Sequence, residues 1–214
     1  MSAHTNTNAS SRGICHLRVR LADGGAVVLR PLRRGEDRVL QSVFDGLSSR
    51  SRQQRYLVPT PRLTASARQA LADVGGRDHV AWVAMVRGSP VGICRYVRTS
   101  RDTAELAFEV VDAEQRRGIA SVLVDAVTTV AHAQGIVWLE ASVVPGNAGS
   151  VALLARLGMD VVLRDGLLEG RARLRLMEPP RVDRRAVVAL AALAAGPARG
   201  DAAGVRGLTQ TRAG

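Results

Sequence analysis

The sequence predicts an α/β (α+β) protein: a mixed central β-sheet flanked by helices on both faces. Three observations predict it. Short runs of alternating or continuous apolar residues, separated by Gly, Pro and Asp turns, fill the first half of the chain. A long apolar-periodic stretch, Ile119–Ala133, reads as a helix and follows a strand-like run almost directly. Residues 136–143 are then β-branched and apolar, as a buried strand requires.

The elements follow in order. Residues 1–12 are small, polar and aperiodic, and are expected to be disordered. Alternation starts near Cys15 and runs through Leu21; Asp23-Gly24-Gly25 turns the chain, and residues 26–29 return as the second strand, ended by Pro31. Residues 37–47 and 64–74 form helices, the second with Thr64 as N-cap. Residues 80–86 and 90–97 pair around Arg87-Gly88-Ser89, and residues 104–111 make the next strand. After the long helix and the buried strand, residues 147–157 are helical, stopped by Gly158. Residues 161–163 and 172–176 form a last hairpin around Asp165-Gly166. Beyond Pro179-Pro180 the chain becomes rich in Arg, Ala and Gly, with room for one Ala-rich helix at Arg184–Ala195. The expected organisation is a disordered segment (1–13), one domain (14–178) and a mostly disordered tail (179–214).

Composition narrows the function. A chain of 214 residues with 46% hydrophobic content can bury one full core. No run approaches the ~20 apolar residues of a membrane span, and the polar N-terminus lacks a signal-peptide stretch, so a cytoplasmic protein without membrane contact is expected. Cys15 and Cys94 are far apart, and the four histidines form no ligand cluster, so neither a disulfide framework nor a metal is expected. The net charge is +11 and every basic residue is Arg, with no Lys anywhere. Such a surface favours anionic partners. Aromatics at 3% argue against base-stacking platforms, so nucleic acid is not the favoured partner; Trp82 and Trp138 read as core.

The most informative segment is Glu-Gln-Arg-Arg-Gly-Ile-Ala-Ser at residues 114–121. A strand, a bend with a glycine and a helix start describe a phosphate cradle. Gly118 puts no side chain between backbone and ligand, and Ala120 is small. Free N–H groups and the dipole at the helix N-terminus favour an anion there, and Arg116 and Arg117 add positive charge.

Gln-x-x-Gly-x-Ala at Gln115, Gly118 and Ala120 resembles the acyl-CoA pyrophosphate loop of the GNAT superfamily of N-acetyltransferases. Three further matches stand in the right order. Ala104-Glu105-Leu106-Ala107-Phe108 is similar to the Ala-Glu-Ile/Val-x-Phe strand of lysine acetyltransferases, and Asn147 with Gly158-Met159 matches the family's Asn and Gly-Phe spacing. Gly46-Leu47-Ser48, Ser51-Arg52 and Arg55-Tyr56-Leu57 resemble a helix region of bacterial Pat-type protein lysine acetyltransferases. The resemblance covers residues 19–176 and implies the GNAT acyl-CoA N-acyltransferase fold, with acetyl-CoA as donor and no metal.

It also implies roles. The amides of Gln115, Arg116, Arg117, Gly118, Ile119 and Ala120 would hold the pyrophosphate, and backbone groups of Phe108, Glu109 and Val110 would pair with the pantetheine arm. Asn147 would reach the cofactor near its sulfur or pantetheine end; read from its residues alone, Pro145-Gly146-Asn147 also suits a helix cap. A lysine ammonium, with a pKa near 10.4, must lose a proton before it can attack. Glu105 stands where Pat-like enzymes place the base; Glu109, two alternations on and on the same face, is the alternative. Many relatives carry a Tyr seven residues after the Asn to protonate the departing thiolate. Here that position is Leu154, which leaves the general acid unassigned; Pat-like enzymes also tend to be apolar there.

The implied acceptor is a protein lysine, in an acidic context that suits the Arg-rich surface. A small amine is the alternative, and a non-catalytic acyl-CoA- or nucleic-acid-binding module the reading from another class. Pat-like enzymes are often fused to a nucleotide-sensing or synthetase-like domain, for which 214 residues leave no room.

Overall fold

The computed structural model describes residues 6–9 and 15–195, with residues 6–9 and 15 described by backbone alone. The described chain contains a nine-stranded sheet in the order β1-β2-β3-β4-β5-β6-β7-β9-β8. Its strands are β1 (Asn6–Ala9), β2 (Cys15–Arg20), β3 (Ala26–Pro31), β4 (His79–Val86), β5 (Ser89–Arg98), β6 (Thr103–Val110), β7 (Trp138–Val143), β8 (Val161–Arg164) and β9 (Leu167–Arg173). Six helices join them: α1 (Asp37–Asp45), α2 (Ser49–Tyr56), α3 (Ala65–Ala72), α4 (Ile119–Ala133), α5 (Ala148–Ala155) and α6 (Arg184–Ala195). The sheet is mixed, as the sequence predicts: β6 and β7 are parallel and every other pair is antiparallel.

β5 lies at the centre. Residues Val91, Gly92, Ile93, Cys94, Arg95 and Tyr96 are buried in succession, so both faces of the strand are covered. One cover is α4, whose apolar residues pack on β4, β5 and β6; α1 packs on β5 with α3 beside it, and α2 on β6. Thr64 caps α3 as expected, accepting from the Ala67 N–H at 3.2 Å.

Four expectations change. First, α2 is a helix between the two expected ones. Its sequence, Ser-Arg-Ser-Arg-Gln-Gln-Arg-Tyr, has no apolar stripe to betray it; it is started by Ser48, whose hydroxyl accepts from the Ser51 N–H. Second, the last strand begins at Leu167 rather than 172. Asp165 (φ 46°) and Gly166 (φ 81°) form a two-residue left-handed turn, and such a turn starts the returning strand at once. Third, Asn6–Ala9 pairs with β2 as an edge strand inside the segment expected to be disordered; ladder hydrogen bonds belong to the backbone and need no side-chain pattern. Fourth, α6 falls at the expected residues but is no loose tail. Val182, Val187 and Leu190 are buried against the domain, and the Asp125 carboxylate on α4 accepts from the Arg181 and Val182 N–H groups at 2.5 and 3.1 Å. The rest of the segments read as disordered, residues 1–5, 10–14 and 196–214, lies outside the described residues.

Of the tryptophans, Trp82 is fully buried, whereas Trp138 is half-buried beneath the Arg171 guanidinium, 4.8 Å from the ring centre. Among the described residues no helix is long and apolar enough to cross a membrane.

Candidate active site

The parallel pair β6–β7 is short. It holds only for Thr103, Ala104 and Glu105 against Trp138, Leu139 and Glu140; beyond that, β6 stays with β5 and β7 stays with β9. The two strands therefore part. From Leu106 to Val110 the edge of β6 that faces β7 has no strand partner, and a cleft opens between it and Ala141, Ser142 and Val143. This cleft belongs to a cavity of about 1000 Å³. An extended ligand laid in it can complete the ladder with the backbone of Phe108, Glu109 and Val110.

The cleft ends at the start of α4. Arg116 (φ 63°) and Gly118 (φ 85°) both take left-handed backbone, which bends the chain sharply between a 3₁₀ turn at Asp112–Glu114 and the helix. Gly118 is the N-cap residue and no side chain caps the helix; the first i→i−4 bond is Val122 N–H to the Gly118 carbonyl. The amides before it are those a helix leaves unpartnered. A Cβ at Gly118 would meet no protein atom within 4 Å, so the space beside this backbone is open. Gln115, Arg116, Gly118, Ile119 and Ala120 all border the cavity. Backbone N–H groups at such a helix start suit an anion.

Two side chains of the loop serve it rather than the cavity. The Gln115 amide donates to the Val110 carbonyl at 3.0 Å and reaches Asp112 Oδ1 and Ser51 Oγ, so its side chain braces the loop. The Arg117 side chain turns away from the cavity to pair with Asp23 at 2.6 Å and with Glu114. Only Arg116 leaves an Arg side chain of the loop at the cavity. Asp112 ties the loop to α2: despite partial burial, hydrogen bonds from Ser48 and Ser51 hold its carboxyl below its usual pKa. That contact gives the Gly46-Leu47-Ser48…Ser51 pattern a structural purpose.

Glu105, Ala107 and Glu109 share one face of β6, opposite Val97, Arg95 and Ile93 of β5. Glu105 is half-buried at the cavity. Glu109 is not the solvated strand residue its type suggests. Its side chain is 4% exposed and its Oε2 lies 2.7 Å from Arg55 Nε. Burial works against the Arg55 charge, yet the carboxylate, with Tyr56 and Glu105 nearby, holds its pKa above the ordinary guanidinium value. Tyr56 is kept protonated by burial and by Glu109. Sequence reasoning assigned no role to Arg55, Tyr56 and Arg95 individually; Arg55-Tyr56 appeared in it only as part of a pattern.

Asn147 caps α5, with Oδ1 accepting from the Ser150 N–H at 3.2 Å, and it also borders the cavity. Leu154 is fully buried in the wall.

A family model described as an acetyltransferase (GNAT) domain matches residues 26–160. Among solved structures, the GNAT domain of S. lividans PAT is similar at 28% identity and a TM-score of 0.70, over 78% of this chain and 100% of that one. A cAMP-binding acyltransferase from Mycobacterium smegmatis matches at 22% identity and 0.62, over 85% of this chain and 54% of that one. The ribosomal-protein-alanine N-acetyltransferase from Brucella melitensis matches at 20% and 0.56, over 68% and 99%. The last two share the fold alone.

Proposed function

This chain belongs to the GNAT acetyltransferase family, whose members take their acetyl group from acetyl-CoA, and we propose that it passes that group to a lysine side chain of acceptor proteins with Glu105 as general base. The observation that supports this most is the division of labour on one strand face. Glu109 is held in a buried ion pair by Arg55, while Glu105 lies beside the cavity where β6 and β7 part. The Arg55 pair fixes Glu109 as part of the α2–β6 contact, so its side chain serves the fold.

In this reading the pyrophosphate rests on the α4 N-terminus and the pantetheine arm runs along Val110, Glu109 and Phe108, which brings the thioester towards Glu105. Glu105 removes a proton from the acceptor ammonium, directly or through water. The neutral amine attacks the thioester carbonyl, the C–S bond breaks with its electron pair leaving on the CoA sulfur, and the second amine proton passes through solvent to the thiolate. A thiol of pKa near 8.5 makes the thiolate a fair leaving group, so an apolar Leu154 in the usual Tyr position is compatible with turnover. The lysine assignment rests on the Pat-type pattern and on the likeness to the S. lividans domain. The Arg-rich surface supports acceptors with acidic flanks, and acyl-CoA chemistry of this kind supports a cytoplasmic location.

A small amine is the second reading, favoured by one observation: the cavity beyond Glu105 is walled by α3 and by the α2–α3 connection. The test is incubation with acetyl-CoA and matched sets of protein and small-amine acceptors, read by mass spectrometry.

A further inference from the structure

The acceptor side of the cavity contains a buried cation that the acetyl-transfer chemistry does not use. Arg95 is 2% exposed and stands directly opposite Ala107, between Glu105 and Glu109 on the same sheet face. Cross-strand geometry makes it a diagonal neighbour of both acids. Its Nη1 donates to the Leu71 carbonyl at 2.9 Å, in the last turn of α3, where helix carbonyls lack partners and attract positive charge. The same Nη1 lies 3.3 Å from His79 Nε2. A guanidinium can only donate, so His79 accepts there as the neutral tautomer. Burial first, and the Arg95 charge second, push the His79 pKa down to about 4, which keeps that tautomer at neutral pH.

Both partners of Nη1 are thus uncharged. The other two nitrogens, Nε and Nη2, are shut off from water and have no hydrogen-bond partner. They form one edge of the guanidinium fork, the edge whose parallel N–H bonds match the two oxygens of a carboxylate. Arg95 remains a cation at neutral pH, although burial and the Arg55 charge lower its pKa to about 10. A buried charged group with two empty donors is destabilising unless an anion completes it. Arg95 borders the cavity, and the exposed Arg62 borders it too.

We propose that Arg95 forms a carboxylate subsite, and that the acceptor bears a carboxylate a few bonds from the amine that is acetylated. The inference rests on the acetyltransferase reading and specifies its substrate class. The acceptor amine reaches Glu105 while its carboxylate docks on the Nε/Nη2 edge, once the wall side chains covering that edge give way. Ala107 puts only a methyl group opposite Arg95, between Glu105 and Glu109. A polycationic amine gains nothing from this guanidinium.

The chemistry fits a free amino acid or an acidic side chain beside a target lysine, and the test separates the two. One pair of acceptors is β-alanine and β-alaninamide; the other is a blocked peptide with Glu beside its single Lys and the same peptide with Gln. Each is measured for kcat/KM, and for binding to the CoA-loaded protein by calorimetry. The expected result is a preference of roughly 10- to 100-fold for the carboxylate member of at least one pair. The pair that shows it identifies the source. Arg95→Gln should reduce the ratio to about one, and Arg95→Lys, which keeps charge without the fork, should leave an intermediate ratio. A retained thermal shift with CoA shows that each variant is folded, and the wild-type ratio stands alone if either is not. Equal use and equal binding of both members in both pairs, or better turnover of spermidine than of either carboxylate, overturns the subsite. Carboxylate-selective binding without any acetyl transfer would instead preserve the subsite and refute the proposed amine acceptor and the role of Glu105.

Discussion

Arg55 Nε meets Glu109 Oε2 at 2.7 Å inside the cavity wall, and the pair ties α2 to β6. One helix without an apolar stripe is thereby fixed to the strand that carries both acids. Its removal should harm the fold before it harms the chemistry. Breaking a buried pair leaves an uncompensated charge, so Glu109→Ala should destabilise the protein by about 3 kcal/mol in denaturant melts, with the double variant Arg55→Met/Glu109→Ala recovering part of the loss.

The phosphate loop makes the second prediction. CoA and acetyl-CoA should raise the melting temperature, because a ligand that binds only the native state stabilises it by mass action. Gly118→Glu combines a side chain at a φ of 85° with negative charge against the pyrophosphate, and should abolish the shift. An unchanged shift in that variant would remove the loop from the donor site.

The third concerns α6. Asp125 is fully buried and its carboxylate accepts two backbone N–H groups, with Arg184 3.7 Å away. Asp125→Ala leaves both amides unpaired and should lower stability by about 3 kcal/mol. Hydrogen exchange should show the loss of protection concentrated in residues 181–190.

The fourth is a pH effect. In the native state His79 titrates at about 4, against 6.5 when free. The unfolded chain therefore binds more protons between those values, and stability rises with pH across that window. The contribution is full above pH 6.5, is lost as pH falls towards 4, and changes no further below it; the whole effect is at most about 3 kcal/mol. Urea melts from pH 4 to 7 on the wild type and His79→Gln check it, the variant having the flatter profile.

Much of this was legible in the sequence, and the exceptions have physical causes. α4 is legible to the residue because fifteen positions of helical periodicity start at a glycine bend. α2 was missed because its anchors are an N-cap serine and ionic contacts, which leave no hydrophobic period. The site divided in the same way. The cradle residues form a local pattern and were found together, whereas Arg95 joins them only through the β5–β6 register, across a hairpin. Arg117, adjacent to the cradle in sequence, turned to Asp23, ninety-four residues away, because a nearby carboxylate attracts its charge. The burial of Glu109 is not legible, since Glu is rarely buried and its partner lies on an element that periodicity does not reveal.

The most direct test of the account is the pH profile of acetyl transfer in Glu105→Gln, measured beside Glu109→Gln. The account predicts that Glu105→Gln keeps its CoA thermal shift while turnover falls by roughly 10²–10⁴ at neutral pH, with the gap narrowing at high pH as the acceptor amine loses its proton unaided. Glu109→Gln should lose stability more than turnover. Full activity in Glu105→Gln beside a folded but inactive Glu109→Gln would contradict the assignment of the base and reverse the two roles.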